Sequence, residues 1–177
     1  MIESWESFAA DLEWGRVAGS VPEFRRWWWE LRPHILHGTL EVRVADVQAT
    51  PDATRAVAET VSAIVRSLAD ALERGVAVPV APTWRIAENR WRALKDGVHG
   101  TLLDLDSGDP IPTSARLHQL LDAVEPYSDH GLDHARQLVR HNGADLLRAA
   151  GPADACRCLI EAFERSDVPA MVNGPRP

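Results

Sequence analysis

The sequence predicts an α+β fold in which an antiparallel sheet fragment packs its apolar face against helices. Residues 39–46 (TLEVRVAD) alternate apolar and polar side chains, which is the period of a half-buried strand. Residues 51–74 place alanine, valine, isoleucine and leucine at helical spacing. Gly38 precedes the first segment, and Pro51 and Gly75 bound the second, which favours separate elements joined by turns.

The N-terminal part of the chain predicts one helix and one strand pair. Ser4 can cap a helix over residues 5–17, because its hydroxyl can accept a hydrogen bond from the first turn. Two strands are predicted next, at Trp27–Arg32 and Thr39–Asp46, with Pro33–Gly38 as the connection. The run of tryptophans in the first strand is interpreted as core and sheet packing, with a partner surface as the alternative.

Charged residues share one face of this predicted strand pair. Glu41 and Arg43 are two residues apart, so they point to the same side at a separation of roughly 6.6 Å. Glu30 and Arg32 share a face of the first strand in the same way. Such a face suits a site for carboxylates, phosphates and a divalent cation, whereas the alternative is an ordinary surface ion pair of little energetic value.

The longest predicted helix begins after Thr50, where Pro51 and Asp52 form a start signal, and runs to Arg74 before Gly75. Its predicted apolar face consists of Val57, Val61, Ile64, Val65, Leu68 and Leu72. Thr83 should cap a shorter helix over residues 84–96, and residues 101–105 should form a short strand followed by a turn at 106–109. Further helices are predicted at 113–124, 132–140, 144–150 and 152–165, with a loose tail at 166–177.

Composition excludes several classes of protein. A chain of 177 residues fits one domain, here expected over residues 1–165, and its net charge of -7 argues against a nucleic-acid binder. No stretch has the apolar length of a membrane span, and no signal peptide is visible, so we expect a cytoplasmic protein. Cys156 and Cys158 face different sides of a predicted helix and indicate neither a disulfide nor a redox pair.

A second candidate group lies on the predicted helix at 84–96. Asn89 and Arg92 could contact a nucleotide, but the favoured alternative is a helix whose other face is packed by Trp84, Ile86 and Trp91. His130 and His134 have a spacing that can suit a metal on a helix. Gly131 interrupts that helix and no third ligand is evident, so we interpret both histidines as exposed or packing residues.

Several stretches resemble one family of enzymes. The motifs are R32-P33, G38-T39-L40-E41-V42-R43 with Asp46, S4-W5-E6, E88-N89-R90-W91-R92-A93 with Gly97, and N142-G143-A144-D145. In this order they are similar to the carboxylate–amine ligases, the second family of glutamate–cysteine ligases. Those enzymes have a glutamine-synthetase-like fold. The resemblance covers about residues 1–165 and the C-terminal part of such an enzyme.

The resemblance implies ATP-dependent amide formation between the γ-carboxylate of glutamate and the amine of cysteine or another amine, through an acyl phosphate. It implies that Glu41 is a Mg²⁺ ligand and that Arg43 contacts substrate or phosphate. Arg32 would stabilise the same charges, and Asn89 and Arg92 would lie on the nucleotide side. ATP and Mg²⁺ are the implied cofactors.

The alternative function is a non-catalytic remnant or subunit that acts as an interaction partner. The motifs that the resemblance implies for the N-terminal half of the enzyme have no counterpart here. We therefore expect the isolated chain to be inactive, and to self-associate or to pair with a complementary N-terminal half.

Overall fold

A computed structural model describes residues 4–23 and 30–165 of the chain. These residues form an α+β fold in two compact units, residues 1–46 and residues 47–177. The predicted tail at 166–177 and the tryptophans at 27–29 lie outside the described residues. The first unit contains α1 (Trp5–Val17), β1 (Leu31–His34) and β2 (Thr39–Val42); the second contains α2 (Pro51–Glu73), α3 (Thr83–Asp96), β3 (Thr101–Leu103), β4 (Pro110–Pro112), α4 (Thr113–Val124), α5 (Asp133–Arg140), α6 (Gly143–Ala150) and α7 (Ala155–Glu164).

Helix α1 confirms the prediction from Ser4. The Ser4 hydroxyl accepts a hydrogen bond from the Ser7 backbone, and the Ser7 hydroxyl lies 3.1 Å from the Ser4 backbone nitrogen, which makes a reciprocal cap. Phe8 is buried in this unit. The cap and one apolar anchor therefore define the helix at the predicted residues.

The first hairpin confirms the predicted strand pair and the predicted start of the second strand at Thr39, but its other described bounds differ. β1 includes Pro33 and His34, which had been assigned to the connection, and β2 ends at Val42 instead of Asp46. The turn is tight because the backbone nitrogens of His37 and Gly38 both donate to the carbonyl of His34. Gly38 has a φ of 60°, a conformation that glycine adopts without a Cβ clash. The turn geometry, which alternation does not reveal, set the boundaries.

Burial in this hairpin differs from the prediction at three positions. Leu31 and Leu40 are exposed, although they were expected on a buried apolar face, and Arg32 is 9% exposed. The aliphatic stem of an arginine can be buried when its charged end is paired. The buried side chain of the described hairpin is therefore Arg32, from the charged face.

Helix α2 begins and ends close to the predicted residues. The Thr50 hydroxyl accepts a hydrogen bond from the Ala53 backbone, Pro51 lies in the first turn, and Gly75 with a φ of 67° follows the last turn. Helix α3 differs at its start, because Thr83 is its first residue and makes no side-chain cap. No helix in the described residues has the length and apolar character needed to cross a membrane.

A second hairpin lies between α3 and α4. β3 is shorter than the predicted strand at 101–105, and β4 was not predicted, because Pro110 and Pro112 argue against a strand. Leu102 pairs with Ile111 in this antiparallel pair. The predicted turn is confirmed, with Asp104 accepting hydrogen bonds from the backbone nitrogens of Asp106 and Ser107.

The core of the second unit lies among its helices. It is built from alanines of α2 and α5 and from larger residues on or just before α4 and α5, namely Ala56, Ala63, Leu121, Val124, Leu132, Ala135 and Val139. Val65, Leu68 and Leu72, predicted on the buried face of α2, are exposed. Alanines let the helices approach closely, so α2 packs along a narrower stripe than its valines and leucines suggest.

Candidate functional site

Three of the predicted site residues meet on the first hairpin. Arg32 lies directly opposite Glu41 in the antiparallel register, and Arg43 is two residues further along the same face. Arg32 Nε lies 2.9 Å from Glu41 Oε2, and its Nη2 donates to the same oxygen at 2.5 Å. Arg43 Nη1 donates to Glu41 Oε1 at 2.9 Å. We call these three residues the hairpin cluster.

The hairpin cluster holds one carboxylate between two guanidinium groups. The hydrogen bond from Arg32 lowers the pKa of Glu41, the charges of Arg32 and Arg43 lower it further, and burial opposes them. Glu41 is therefore ionised at neutral pH, and the cluster carries a net charge of about +1. Two guanidinium groups beside one carboxylate, with Arg43 partly exposed and Arg32 buried, suit a carboxylate or phosphate group.

The fit of the hairpin cluster to Mg²⁺ is poorer. Mg²⁺ takes oxygen ligands in near-octahedral geometry, usually from one or two carboxylates together with phosphate and water. Both oxygens of Glu41 already accept hydrogen bonds from arginine. No group of three or more His, Cys, Asp or Glu side chains in the described residues is placed to hold a metal ion. These residues alone do not make a Mg²⁺ site, and the metal role of Glu41 stays a prediction.

The other two acids near the predicted strands lie at the margin of the hairpin cluster. Glu30 is exposed, and its backbone carbonyl accepts a hydrogen bond from the Arg43 nitrogen at 2.7 Å. Asp46 is also exposed and lies beyond the end of β2. The backbone bond at Glu30 extends the pairing by one step and so helps to hold Arg43 beside Glu41.

Asn89, in the second unit, is engaged with the backbone of β3. Its Nδ2 donates to the Leu103 carbonyl at 2.7 Å, and its Oδ1 accepts from the Leu103 nitrogen at 2.7 Å. The side-chain amide therefore pairs with Leu103 as a neighbouring strand would. This geometry supports the packing alternative for Asn89, and its contact with a nucleotide stays a prediction.

Replacing Asn89 with alanine should destabilise the second unit by about 2 kcal/mol, because both Leu103 groups would lose a partly buried partner. Urea denaturation followed by circular dichroism measures this change. Gln137→Ala is the matched control, since Gln137 is an exposed amide on α5. Equal stability of the Asn89 and Gln137 variants would contradict the packing role.

The tryptophans of α3 correct another prediction. Trp84, Ile86 and Trp91 were expected to pack the helix, but Trp84 is 69% and Trp91 57% exposed. The polar face packs instead, because Asn89 binds Leu103 and Arg85 Nη1 donates to the Leu105 carbonyl at 2.5 Å. Among the described residues, the face of α3 that carries Trp84 and Trp91 is therefore not covered by other side chains.

Arg92 lies beside a group of residues that sequence reasoning missed. Its Nε donates to Glu88 at 2.9 Å. On the segment after α3, His99 Nε2 lies 2.8 Å from Asp145 Oδ1, and this contact lowers the pKa of Asp145. Asp145 also belongs to the reciprocal cap of α6 with Asn142. The spacing of Asn142 and Asp145 in the N142-G143-A144-D145 motif is typical of such a cap. The contact of Asp145 with His99 joins residues far apart in the chain, so it depends on the fold.

The other histidines, including the pair His130 and His134 considered above, occupy separate places. His34 and His37 stack with ring centroids 4.5 Å apart at the first turn. His130 is exposed, and His134 is half-buried on α5. The loop that carries His130 is held by Glu59, whose carboxylate accepts hydrogen bonds from the Ser128 hydroxyl and the Asp129 backbone nitrogen.

Comparison with known proteins identifies similar sequences. The family model described as glutamate–cysteine ligase family 2 matches residues 1–162. A protein of Frankia alni with the provisional name glutamate–cysteine ligase 2-1 is 32% identical over 138 residues, which is 78% of this chain and 36% of the relative. A protein of Thermobifida fusca, provisionally named glutamate–cysteine ligase 2, is 26% identical over 182 residues, which is 96% of this chain and 45% of the relative.

A glutamate–cysteine ligase of Natronomonas pharaonis is 30% identical over 155 residues, which is 82% of this chain and 42% of that protein. The chain therefore spans less than half the length of the three relatives compared.

Proposed function

Because this chain belongs to glutamate–cysteine ligase family 2, we propose that it forms part of a cytoplasmic, ATP-dependent carboxylate–amine ligase. The proposed reaction joins the γ-carboxylate of glutamate to the amine of cysteine. ATP phosphorylates the carboxylate, and the amine attacks the acyl carbon and releases phosphate. The proposal includes the glutamine-synthetase-like fold of the family that the motifs resemble.

The observation that carries this proposal is the hairpin cluster. A carboxylate substrate and the phosphoryl group that it accepts are both anions, and their negative charges must be brought together for the reaction. Arg32 and Arg43, which are both hydrogen-bonded to Glu41, bring positive charge to the place where such oxygens would lie. Because Arg32 is buried, its side chain should keep its position while negative charge develops on the transferred phosphoryl group.

Mg²⁺ in this chemistry would neutralise charge on the phosphates of ATP. Glu41 stays part of the proposal as one oxygen ligand. The remaining ligands would have to come from elsewhere, because the described residues do not supply them. Within the chain itself, the role of Glu41 is to orient the two arginines.

The test of the proposed function is a complementation assay. The chain is mixed or co-expressed with the part of the Thermobifida fusca relative that it does not cover, and the mixture receives ATP, Mg²⁺, glutamate and cysteine. γ-Glutamylcysteine and phosphate formed in equal amounts would support the proposal. No product from a mixture that forms a stable, folded complex would reject it.

Arg43→Lys should reduce kcat/KM for glutamate in this assay by about ten- to hundredfold. Lysine keeps the charge but loses the fork that binds two oxygens at once, and a charge-assisted hydrogen bond is lost. Arg16→Lys is the matched control, since Arg16 makes a two-nitrogen contact with Glu13 on the exposed face of α1. Similar kinetics for both variants would return Arg43 to the role of a surface ion pair.

A second candidate function is a non-catalytic interaction partner, favoured by the uncovered apolar side chains. On α3 these include Trp84, Trp91 and Leu94, and on α2 they include Leu68 and Leu72. Large apolar patches on a monomer mark interaction surfaces. In this case, the complementation mixture would form a complex without ligating glutamate.

A further inference from the structure

The hydrogen-bond pattern of the first hairpin shows which backbone groups lie on its outer edges. In an antiparallel pair, residues that exchange hydrogen bonds with the partner strand alternate with residues whose N–H and C=O groups point away from it. The Arg43 nitrogen donates to the Glu30 carbonyl, which fixes this alternation in the first hairpin. The outward-pointing residues are therefore Leu31 and Pro33 on β1 and Leu40 and Val42 on β2.

The second hairpin is protected at both of its outer edges. By the same alternation, the outward-pointing residues are Thr101 and Leu103 on β3 and Pro110 and Pro112 on β4. Both prolines lack an N–H, so β4 offers no outward donor at these positions. On β3, the N–H and C=O groups of Leu103 already bind the amide of Asn89. A further strand would meet a side chain on one edge and prolines on the other.

Among the described residues, the first hairpin has one blocked edge and one open edge. Pro33 removes an outward donor from the middle of β1, which is how natural sheets protect an edge. Leu40 and Val42 each keep an N–H and a C=O on the outer side of β2, and no further strand pairs with them in the described part of the chain. An edge of this kind can accept another strand.

The side chains along β2 suit such a contact. Leu40 is 46% and Val44 63% exposed. Val42 lies between them in the sequence, so all three share one face of a strand that continues to Val44. The opposite face carries Glu41 and Arg43, which have opposite charges. An added strand would therefore cover apolar side chains on one face and meet one charge of each sign on the other.

We propose that β2 pairs with β2 of a second copy of this chain, in the antiparallel direction and centred on Val42. The two hairpins would then form one four-stranded sheet. Val42 would exchange two hydrogen bonds with Val42 of the other copy, and Leu40 would lie opposite Val44 of that copy. This contact goes beyond the proposed ligase reaction and does not depend on it.

The charges favour this register over its neighbours. With Val42 at the centre, Glu41 of each copy lies opposite Arg43 of the other, and opposite charges across two strands stabilise their pairing. With the centre at Glu41, the two Glu41 carboxylates would lie opposite each other, which is destabilising. With the centre at Leu40, no acid would lie opposite an arginine. A second copy thus supplies a complementary edge in one register.

Amide hydrogen exchange of the full chain, followed by NMR at rising protein concentration, tests the contact atom by atom. The N–H groups of Glu41 and Arg43 point towards β1 and should exchange slowly at every concentration. Those of Leu40 and Val42 should exchange rapidly in dilute protein. At a concentration where 90% of the chain is paired, they should exchange about tenfold more slowly, because about a tenth of the edges is then open. This protection should persist in Leu94→Glu, which changes a different unit.

Val42→Pro should abolish the protection at Leu40 and lower the mass of the chain in solution. It removes the N–H at the centre of the contact, as Pro33 does on β1. Because this N–H points away from β1, the hydrogen bonds within the hairpin are kept. Leu31→Pro is the matched control, since Leu31 lies opposite Val42 and points outward on the other edge. The control should leave the pairing unchanged, and equal loss in both variants would overturn the inference.

A cysteine at the centre checks the register without a proline. In a chain whose Cys156 and Cys158 are replaced by serine, Val42→Cys places two thiols opposite each other. The Cα atoms of such a pair are about 5.5 Å apart, within the range of a disulfide. Oxidised glutathione should therefore produce a linked dimer, whereas Leu31→Cys in the same chain should stay unlinked.

Three results would overturn the inference. The first is rapid exchange of Leu40 and Val42 at every concentration, even if the chain associates through other surfaces. The second is a Val42→Cys chain that forms no more linked dimer than Leu31→Cys. The third is protection that arises only after addition of the part of the Thermobifida fusca relative that this chain does not cover, because the added strand would then belong to a different partner.

Discussion

Glu41→Gln should abolish ligase turnover in the complementation assay, with a loss of about hundredfold or more in kcat. Glutamine keeps the length of the side chain but removes the charge that orients Arg32 and Arg43 and that a cation would need. A single amide oxygen cannot reproduce the contacts of both carboxylate oxygens with the two arginines. The buried Arg32 would also lose its ion pair with Glu41.

The same variant should unfold at lower urea concentration than the wild type. Because the folded-state pKa of Glu41 lies below its ordinary value of 4.5, its ionic contribution is fully present above about pH 4.5. That contribution declines as the pH falls below this value, so the stability difference between wild type and variant should shrink in acid. Urea titrations at pH 7 and at pH 3.5 measure both parts of this expectation.

Glu13→Gln provides the control for both measurements. Glu13 makes a comparable contact with Arg16, but both side chains are about 60% exposed on α1, where such pairs contribute little. We expect full activity and unchanged stability for Glu13→Gln. Mg²⁺-dependent turnover near the wild-type level in a folded Glu41→Gln protein would remove Glu41 from the proposed site.

The second large effect concerns the chain by itself, which should form no γ-glutamylcysteine. The hairpin cluster supplies two arginines and one carboxylate, and the described residues supply no metal-binding group to accompany them. The relatives compared are more than twice as long as the part that this chain matches. The measurement is phosphate release from ATP that depends on both glutamate and cysteine. Clear turnover by the chain alone would refute the expectation of an incomplete site.

The isolated chain should also self-associate in solution. Trp91 and Leu94 are exposed on α3, and both small sheets have two strands, whose outer edges have no further strand paired to them in the described residues. Light scattering after size-exclusion chromatography gives the mass. Leu94→Glu should shift the chain towards monomer, whereas Ala123→Glu at an exposed position of α4 should not. A monomeric wild type would contradict this prediction.

Local signals in the sequence predicted the helices with small errors. Ser4 and Thr50 act as the caps that their positions indicated, and Gly75 follows α2 as expected. These predictions succeed because capping and glycine conformation depend on a few adjacent residues. The first hairpin depends on a turn at His34–Gly38. The start of β2 at Thr39 was predicted correctly, whereas β1 extends to His34 and β2 ends at Val42, and neither bound was predicted.

The sequence by itself determined that Glu41 and Arg43 share one strand face, because that relation follows from the two-residue period of a strand. Only the tertiary structure decided that Arg32 faces Glu41, since register depends on the turn. It also decided which side of α3 packs and which acid meets His99, because these contacts join residues far apart in the chain. Periodicity shows that a helix has two faces, but the neighbours that the fold brings to it determine which face is covered.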